Sequence, residues 1–317
     1  MRILVFGLGA LGTVYACLLK KAGHHVIGLG RPDLATILES EPLTVHGIWG
    51  QHLAHLDQVI TDLDQLTPGE SALDLVIVAV KSHATAAVAA ALAPIVGPQT
   101  LVLLTQNGYG NYETALQSLP AHQLIASRVI FGAEVTHPAT SQVTVMADDV
   151  IIGSPHNLID PARLEAIASA CRQAGIPTRV SADVMQYIWG KIIYNSVLNS
   201  LGAILEVTYG ELAADPDSRA LLITMVREIF AVMDAMNART LWPDADAYLD
   251  DFFTKMVPST KAHYPSMLQD LQRQRRTEID ALTGAMVRLG QAHHVSTPVL
   301  ETITLLVKAK EALALSS

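Results

Sequence analysis

The sequence predicts an α/β domain followed by an all-α domain, and three observations lead there. A strand, a glycine-rich turn, a helix and a second strand succeed one another at the N-terminus. Strand-like and helical stretches then alternate to about Val180. From about Ala182 only helical periodicities remain, with no strand of comparable strength. The expected domains are residues 1–182 and 183–317, joined around 181–184 at a hinge rather than a long linker.

The opening is the most specific element. Residues 2–6 are an apolar run of strand-favouring side chains, followed at once by Gly7-Leu8-Gly9-Ala10-Leu11-Gly12. An apolar helical pattern continues to about Lys21, and a short strand from His25 to Leu29 follows Gly23. A G-x-G-x-x-G pattern at a strand-to-helix turn is the dinucleotide-binding signature of a Rossmann-type domain. Gly7 would allow the tight turn, Gly9 the approach of a pyrophosphate, and Gly12 close packing of helix on strand. The helix N-terminus would present unpaired N–H groups and a positive dipole end to that pyrophosphate.

The end of the second strand selects the cofactor. An NAD-binding domain usually carries Asp or Glu there for the ribose 2′-OH. Here the chain reads Gly28-Leu29-Gly30-Arg31, so a cation stands near the place of the acid. Arg31 could hold a 2′-phosphate through its planar, multi-donor guanidinium, which favours NADPH; Asp33 is a carboxylate that could compete for the ribose.

Further along, Leu73 to Val80, Thr100 to Leu104 and Leu124 to Val129 read as buried strands, and alanine-rich Ala84 to Leu92 as a helix. Between 130 and 153 short strands suggest an antiparallel extension of the same sheet. A helix from Pro161 to Gln173 and a strand from Thr178 to Val180 would close the first domain. Beyond it, loops near Pro216, Pro243, Pro258 and Pro298 punctuate the helices.

Composition narrows the partners. Half of the 317 residues are apolar and 16% are charged, which argues against disorder. A net charge of -9 argues against a polyanionic partner, and 5% aromatics against a base-stacking surface, so no nucleic acid is expected. No apolar run is long enough for a membrane span. Cys17 and Cys171 lie far apart with no C-x-x-C pair, which fits a reducing cytoplasm. His24-His25 and His293-His294, read as strand neighbours on opposite faces, complete no ligand set, so no metal is expected.

Ligands of such a fold lie beyond the carboxyl ends of the strands, which brings forward Lys81 and Asn107. Either could equally be an ordinary surface lysine and a turn asparagine. Lys191, Asn195 and Asn199 recur every four residues on one helical face amid apolar positions, and buried polar groups there need partners. Ser266-Met267-Leu268-Gln269-Asp270 and Arg275-Arg276-Thr277-Glu278-Ile279-Asp280 form a second polar cluster.

Together, the glycine motif, Val80-Lys81, Gln106-Asn107-Gly108, the Lys191/Asn195/Asn199 helix, Ser266 to Asp270, and Arg276 to Asp280 with Gly284 resemble the ketopantoate reductase family over essentially the whole chain. The resemblance implies NADPH-dependent reduction of the 2-oxo acid ketopantoate to (R)-pantoate, on the pathway to pantothenate and coenzyme A. It implies Lys191 as general acid and Glu278 as the group holding a substrate hydroxyl. Asn107, Asn195, Asn199 and Ser266 become substrate contacts, Lys81 and Asn107 lie by the cofactor, and Arg31 lies near its 2′-phosphate. Pro265 and His83 depart locally from the family pattern without removing a functional group. Two alternatives stay open: reduction of another 2-oxo acid or an imine, and a non-catalytic NADPH sensor. Apolar helices of the second domain could build a homodimer interface or simply pack within the chain. Hydride and proton donors carried by different domains would imply a cleft that closes on substrate.

Overall fold

The computed structural model describes residues 1–66 and 73–316. The chain clusters into two compact units, Met1–Gln106 with Asn111–Val184, and Asn107–Gly110 with Met185–Ser317.

The first unit runs β1 (Arg2–Phe6), α1 (Ala10–Lys21), β2 (His25–Leu29), α2 (Pro32–Leu38), β3 (Leu43–Gly47), β4 (His52–Ala54) and β5 (Gln58–Ile60). It continues through β6 (Leu75–Val78), α3 (Thr85–Leu92), β7 (Leu101–Leu104), α4 (Asn111–Ala115), β8 (Leu124–Arg128), β9 (Phe131–His137), β10 (Thr140–Met146), β11 (Val150–Gly153), α5 (Pro161–Gln173) and β12 (Thr178–Val180). Among the described residues the main sheet has the order β12-β11-β8-β7-β6-β1-β2-β5, parallel throughout except where β11 meets β8. Its centre is apolar on both faces: Ile3, Leu4 and Val5 are fully buried, as are Val76 and Ile77. That is the signature of strands covered by helices on both sides.

Strand order reverses between β1 and β6, which sit side by side although four strands intervene in sequence. Ligands of open α/β sheets collect at such a switch point. Gly7 and Lys81 follow these two strands, which is what brings them into the same region of the unit.

The strands between 130 and 153 correct the sequence expectation in part. β11 does extend the main sheet antiparallel to β8. β9 and β10 instead form a hairpin in a separate four-stranded sheet, β4-β3-β10-β9, that packs on α1. Local pattern does not mark β3, β4 and β5: β4 and β5 have three residues each, and β3 finds its parallel partner β10 almost a hundred residues away. Cys17 and Cys171 are buried free thiols.

The second unit is helical: α6 (Val184–Leu205), α7 (Tyr209–Ala214), α8 (Pro216–Ala235), α9 (Ala245–Asp251), α10 (Val257–Ser259), α11 (Ser266–Gln272), α12 (Thr283–Ala292) and α13 (Pro298–Ser316). α6 is its axis, with Trp189, Ile192, Ile193, Val197, Leu198 and Leu201 buried in the core. Pro216 and Pro298 open helices, where a missing N–H costs nothing. Pro258, expected in a loop, instead lies in a helical run, directly after the wide turn Phe252–Met256. The paired histidines also differ from expectation. His24 sits in the turn before β2 with its ring 3.3 Å from the N-terminal amine, and His293 and His294 follow α12 in a turn. No helix among the described residues is long and apolar enough to cross a membrane, and no group of three or more His, Cys, Asp or Glu there could hold a metal ion.

Candidate active site

In the first unit the glycine turn has the geometry its residues require. Gly7 has φ +98°, a left-handed conformation costly for any side chain, and its N–H donates to Leu29 O at 3.0 Å. A Cβ at Gly12 would strike the Gly7 carbonyl oxygen, so only glycine lets α1 pack so close to the turn. Gly9 is the opposite case: a Cβ there would meet nothing within 4 Å. Open space therefore lies before the N-terminus of a 12-residue helix whose first turn carries no acidic side chain. Unpaired N–H groups, a positive dipole end and no competing carboxylate suit a pyrophosphate. Leu8 is buried under Gly28 and Gly30, so it can offer a ligand only its backbone; Ala10 and Leu11 are half-buried.

Arg31 stands just before α2 with an exposed guanidinium, paired at 3.3 Å with Asp33. The carboxylate expected to compete for a ribose thus faces Arg31. Lys81 precedes a single tight turn at Ser82–Ala84, and its carbonyl accepts from Gln106 Nε2 at 3.4 Å.

In the second unit Lys191, Asn195 and Asn199 share one face of α6, as their four-residue spacing requires. Asn195 and Asn199 line a small pocket together with Ser266, Asp270 and Glu278. Asn107 completes it, delivered by the short segment that belongs to this unit: Tyr109 N donates to Ala281 O at 2.7 Å, and the Tyr109 ring stacks on Trp189 at 5.2 Å. Gly108, at φ +88°, lies so close to the Ala281 backbone that a side chain would collide with it.

The polar groups are connected. Lys191 Nζ donates to Asn107 Oδ1 at 2.6 Å, and Asn107 Nδ2 donates to Glu278 Oε2 at 3.4 Å. One amide thereby bridges a cation and a carboxylate, and Glu278 is only 8% exposed. Asn199 Oδ1 accepts from Tyr209 Oη at 3.1 Å and from Ser266 Oγ at 3.3 Å. Burial, with the Tyr194 phenol nearby, pushes the Tyr209 phenol well above its usual range, so it keeps its proton and donates. Such a pocket can bind oxygen atoms through amide and hydroxyl groups while holding a lysine ammonium at its edge.

The residues picked out from the sequence therefore fall into two groups. Lys191, Glu278, Asn107, Asn195, Asn199 and Ser266 converge in the helical unit, whereas the glycine turn, Arg31 and Lys81 belong to the sheet unit. Two pocket-building residues had received no role. Asp270, 8% exposed, lines the pocket four residues after Ser266, a spacing on one helix face that could have flagged it. Tyr209 carries no comparable signal.

Family comparison accords with this geometry. The model described as ketopantoate reductase PanE/ApbA matches residues 3–157, and its C-terminal counterpart matches residues 183–311. The chain is 42% identical over 311 residues to a 2-dehydropantoate 2-reductase of Aquifex aeolicus, covering 98% of this chain and 97% of that one. It is 29% identical to a 2-dehydropantoate 2-reductase of Vibrio cholerae, covering 98% of each chain. Among solved structures, a PanE/ApbA family ketopantoate reductase from Ralstonia eutropha superposes with a TM-score of 0.87 at 28% identity, covering 99% of both chains. The matched segments span both units and run through the glycine turn and the amide-lined pocket alike, and the chain belongs to the ketopantoate reductase PanE/ApbA family.

Proposed function

We propose that this protein reduces the 2-oxo acid ketopantoate (2-dehydropantoate) to (R)-pantoate with NADPH, in pantothenate and coenzyme A synthesis. The observation that carries the reading is the Lys191–Asn107–Glu278 array beside Asn195, Asn199 and Ser266, in a chain 42% identical to a 2-dehydropantoate 2-reductase. Residues 1–182 form the cofactor domain and 183–317 the substrate-binding, catalytic domain. The reading extends to a cytoplasmic enzyme whose partner is a small 2-oxo acid; a homodimer is the oligomeric state to test by sedimentation.

The glycine turn 7–12 would hold the pyrophosphate and Arg31 the 2′-phosphate, and Lys81 and Asn107 would serve the nicotinamide end. When bound, NADPH supplies a hydride to the carbonyl carbon C2. Negative charge then grows on the carbonyl oxygen, which calls for a proton and for electrostatic stabilisation. Lys191 is the donor for both. Its contact with Asn107 keeps the ammonium at the pocket edge, and Glu278, at the other end of that amide, accepts a substrate hydroxyl. Asn195, Asn199 and Ser266 orient substrate oxygens without adding charge.

The test is NADPH absorbance after addition of ketopantoate, with NADH and Lys191→Ala as comparisons. Rapid oxidation with NADPH, slower oxidation with NADH and a collapse of turnover in the variant are expected. NADPH binding with no oxidation would remove ketopantoate as substrate and favour another oxo acid or a sensing role.

A further inference from the structure

Asn199 offers its pocket one of two chemically opposite ends, a carbonyl acceptor or an NH2 donor, and a buried tyrosine decides which. Tyr209 is 3% exposed, and its only side-chain hydrogen bond among the described residues runs to Asn199 Oδ1. Were the Asn199 amide turned over, Nδ2 would donate to Oη and the phenol proton would be buried without an acceptor, which is unfavourable. Ser266 Oγ donates to the same Oδ1, so the carbonyl end is doubly occupied. Nδ2 has no protein partner among the described residues and is the end left for a ligand.

The tyrosine is itself held in place. Thr208 and Glu211 form a reciprocal cap at the start of α7, with Thr208 N donating to Glu211 Oε2 at 2.8 Å, which sets the backbone of Tyr209. Tyr209 N donates to His263 O at 3.1 Å, and the ring packs edge-on against Tyr194 at 5.8 Å. Burial keeps the phenol protonated across the working pH range.

We infer that Tyr209 is a positioning residue that locks the Asn199 amide with its NH2 toward the pocket, making this position a donor reserved for an oxygen of the substrate. The inference rests on the reductase reading for the identity of that substrate, but not for the orientation of the amide.

Tyr209→Phe keeps the ring and removes the proton. The expected result is a KM for ketopantoate raised about tenfold, the order of one lost hydrogen bond, with kcat changed much less and NADPH affinity unchanged. In an Asn199→Ala background the same substitution should have no further effect on KM, because its effect passes through that amide. Asn199→Asp, which keeps the acceptor for Tyr209 and Ser266 but has no NH2, should bind substrate as weakly as Asn199→Ala. A Tyr209→Phe effect of the same size without Asn199, or an Asn199→Asp enzyme with wild-type KM, overturns the inference. Side-chain amide NMR gives a readout that needs no turnover. The Asn199 NH2 pair, assigned by its disappearance in Asn199→Ala, should shift and broaden in Tyr209→Phe; an unmoved pair rejects the lock. Failure of the wild-type protein to reduce ketopantoate would instead sink the substrate reading, with the NMR result still deciding the role of Tyr209.

Discussion

Lys191 and Asn107 lie 84 positions apart in the chain and are joined by a hydrogen bond of 2.6 Å from Nζ to Oδ1. The bond ties the middle of α6 to a four-residue segment that interrupts the sheet unit in sequence and belongs to the helical unit in space. Because the other end of the same amide reaches Glu278 at 3.4 Å, one side chain touches both ionisable members of the array.

That arrangement separates two variants. Lys191→Ala should lower kcat by roughly 10²–10⁴-fold, the usual range for a lost general acid, while NADPH affinity measured by fluorescence titration stays unchanged. Asn107→Ala keeps both charges but removes their bridge, and a smaller loss of kcat with a raised KM is expected. A Lys191→Ala enzyme within a few-fold of wild type would exclude this lysine from proton transfer.

The glycine turn offers a second pair of opposite outcomes. A Cβ at Gly12 meets the Gly7 carbonyl, so Gly12→Ala should destabilise the protein by about 1–3 kcal/mol through forced displacement of the turn. A Cβ at Gly9 meets no protein atom, so Gly9→Ala should melt at the wild-type temperature yet bind NADPH more weakly. Equal NADPH affinity in Gly9→Ala and wild type would mean that the pyrophosphate lies elsewhere.

Arg31 and Asp33 form an exposed ion pair of the kind that contributes little to stability. Arg31→Ala is therefore expected to leave the melting temperature unchanged. Its effect should be on cofactor choice: the ratio of kcat/KM for NADPH over NADH should fall about tenfold, the worth of a charge-assisted hydrogen bond to phosphate. A ratio that does not move assigns 2′-phosphate recognition to another group.

Stability should depend on pH through Asp57. Burial alone would raise its pKa, but hydrogen bonds from Lys20 Nζ at 2.6 Å and Val26 N at 2.7 Å pull it below the usual carboxylate value. A carboxyl whose pKa is lower folded than unfolded stabilises the fold above the unfolded value, and the contribution disappears as pH falls through the folded one. Asp57→Asn should thus lower stability by about 1 kcal/mol at neutral pH. The gap from wild type should close in acid, below the lowered pKa; a gap independent of pH would assign the effect to packing.

Much of this molecule is legible in its residue pattern. β1, β2, α5 and β12 fall at the residues their patterns marked, and the glycine turn adopts the geometry its three glycines imply. The four-residue rhythm of Lys191, Asn195 and Asn199 placed them on one helix face, because 3.6 residues per turn brings i and i+4 together. β3, β4 and β5 carry no such mark: β4 and β5 have three residues each, and β3 pairs with β10 from far along the chain.

The residues alone reveal the βαβ opening, the change from α/β to all-α near Ala182, and the polar side chains that are candidates for chemistry. Each of these is written in local spacing, where the backbone period alone decides which neighbours share a face. Long-range packing, by contrast, takes β9 and β10 out of the main sheet, brings Asn107 into the helical unit and ends the Tyr209 hydroxyl on Asn199. Those outcomes depend on pairings between distant segments and on burial that leaves a hydroxyl proton a single acceptor. No periodicity along the chain encodes which distant partner a side chain will meet.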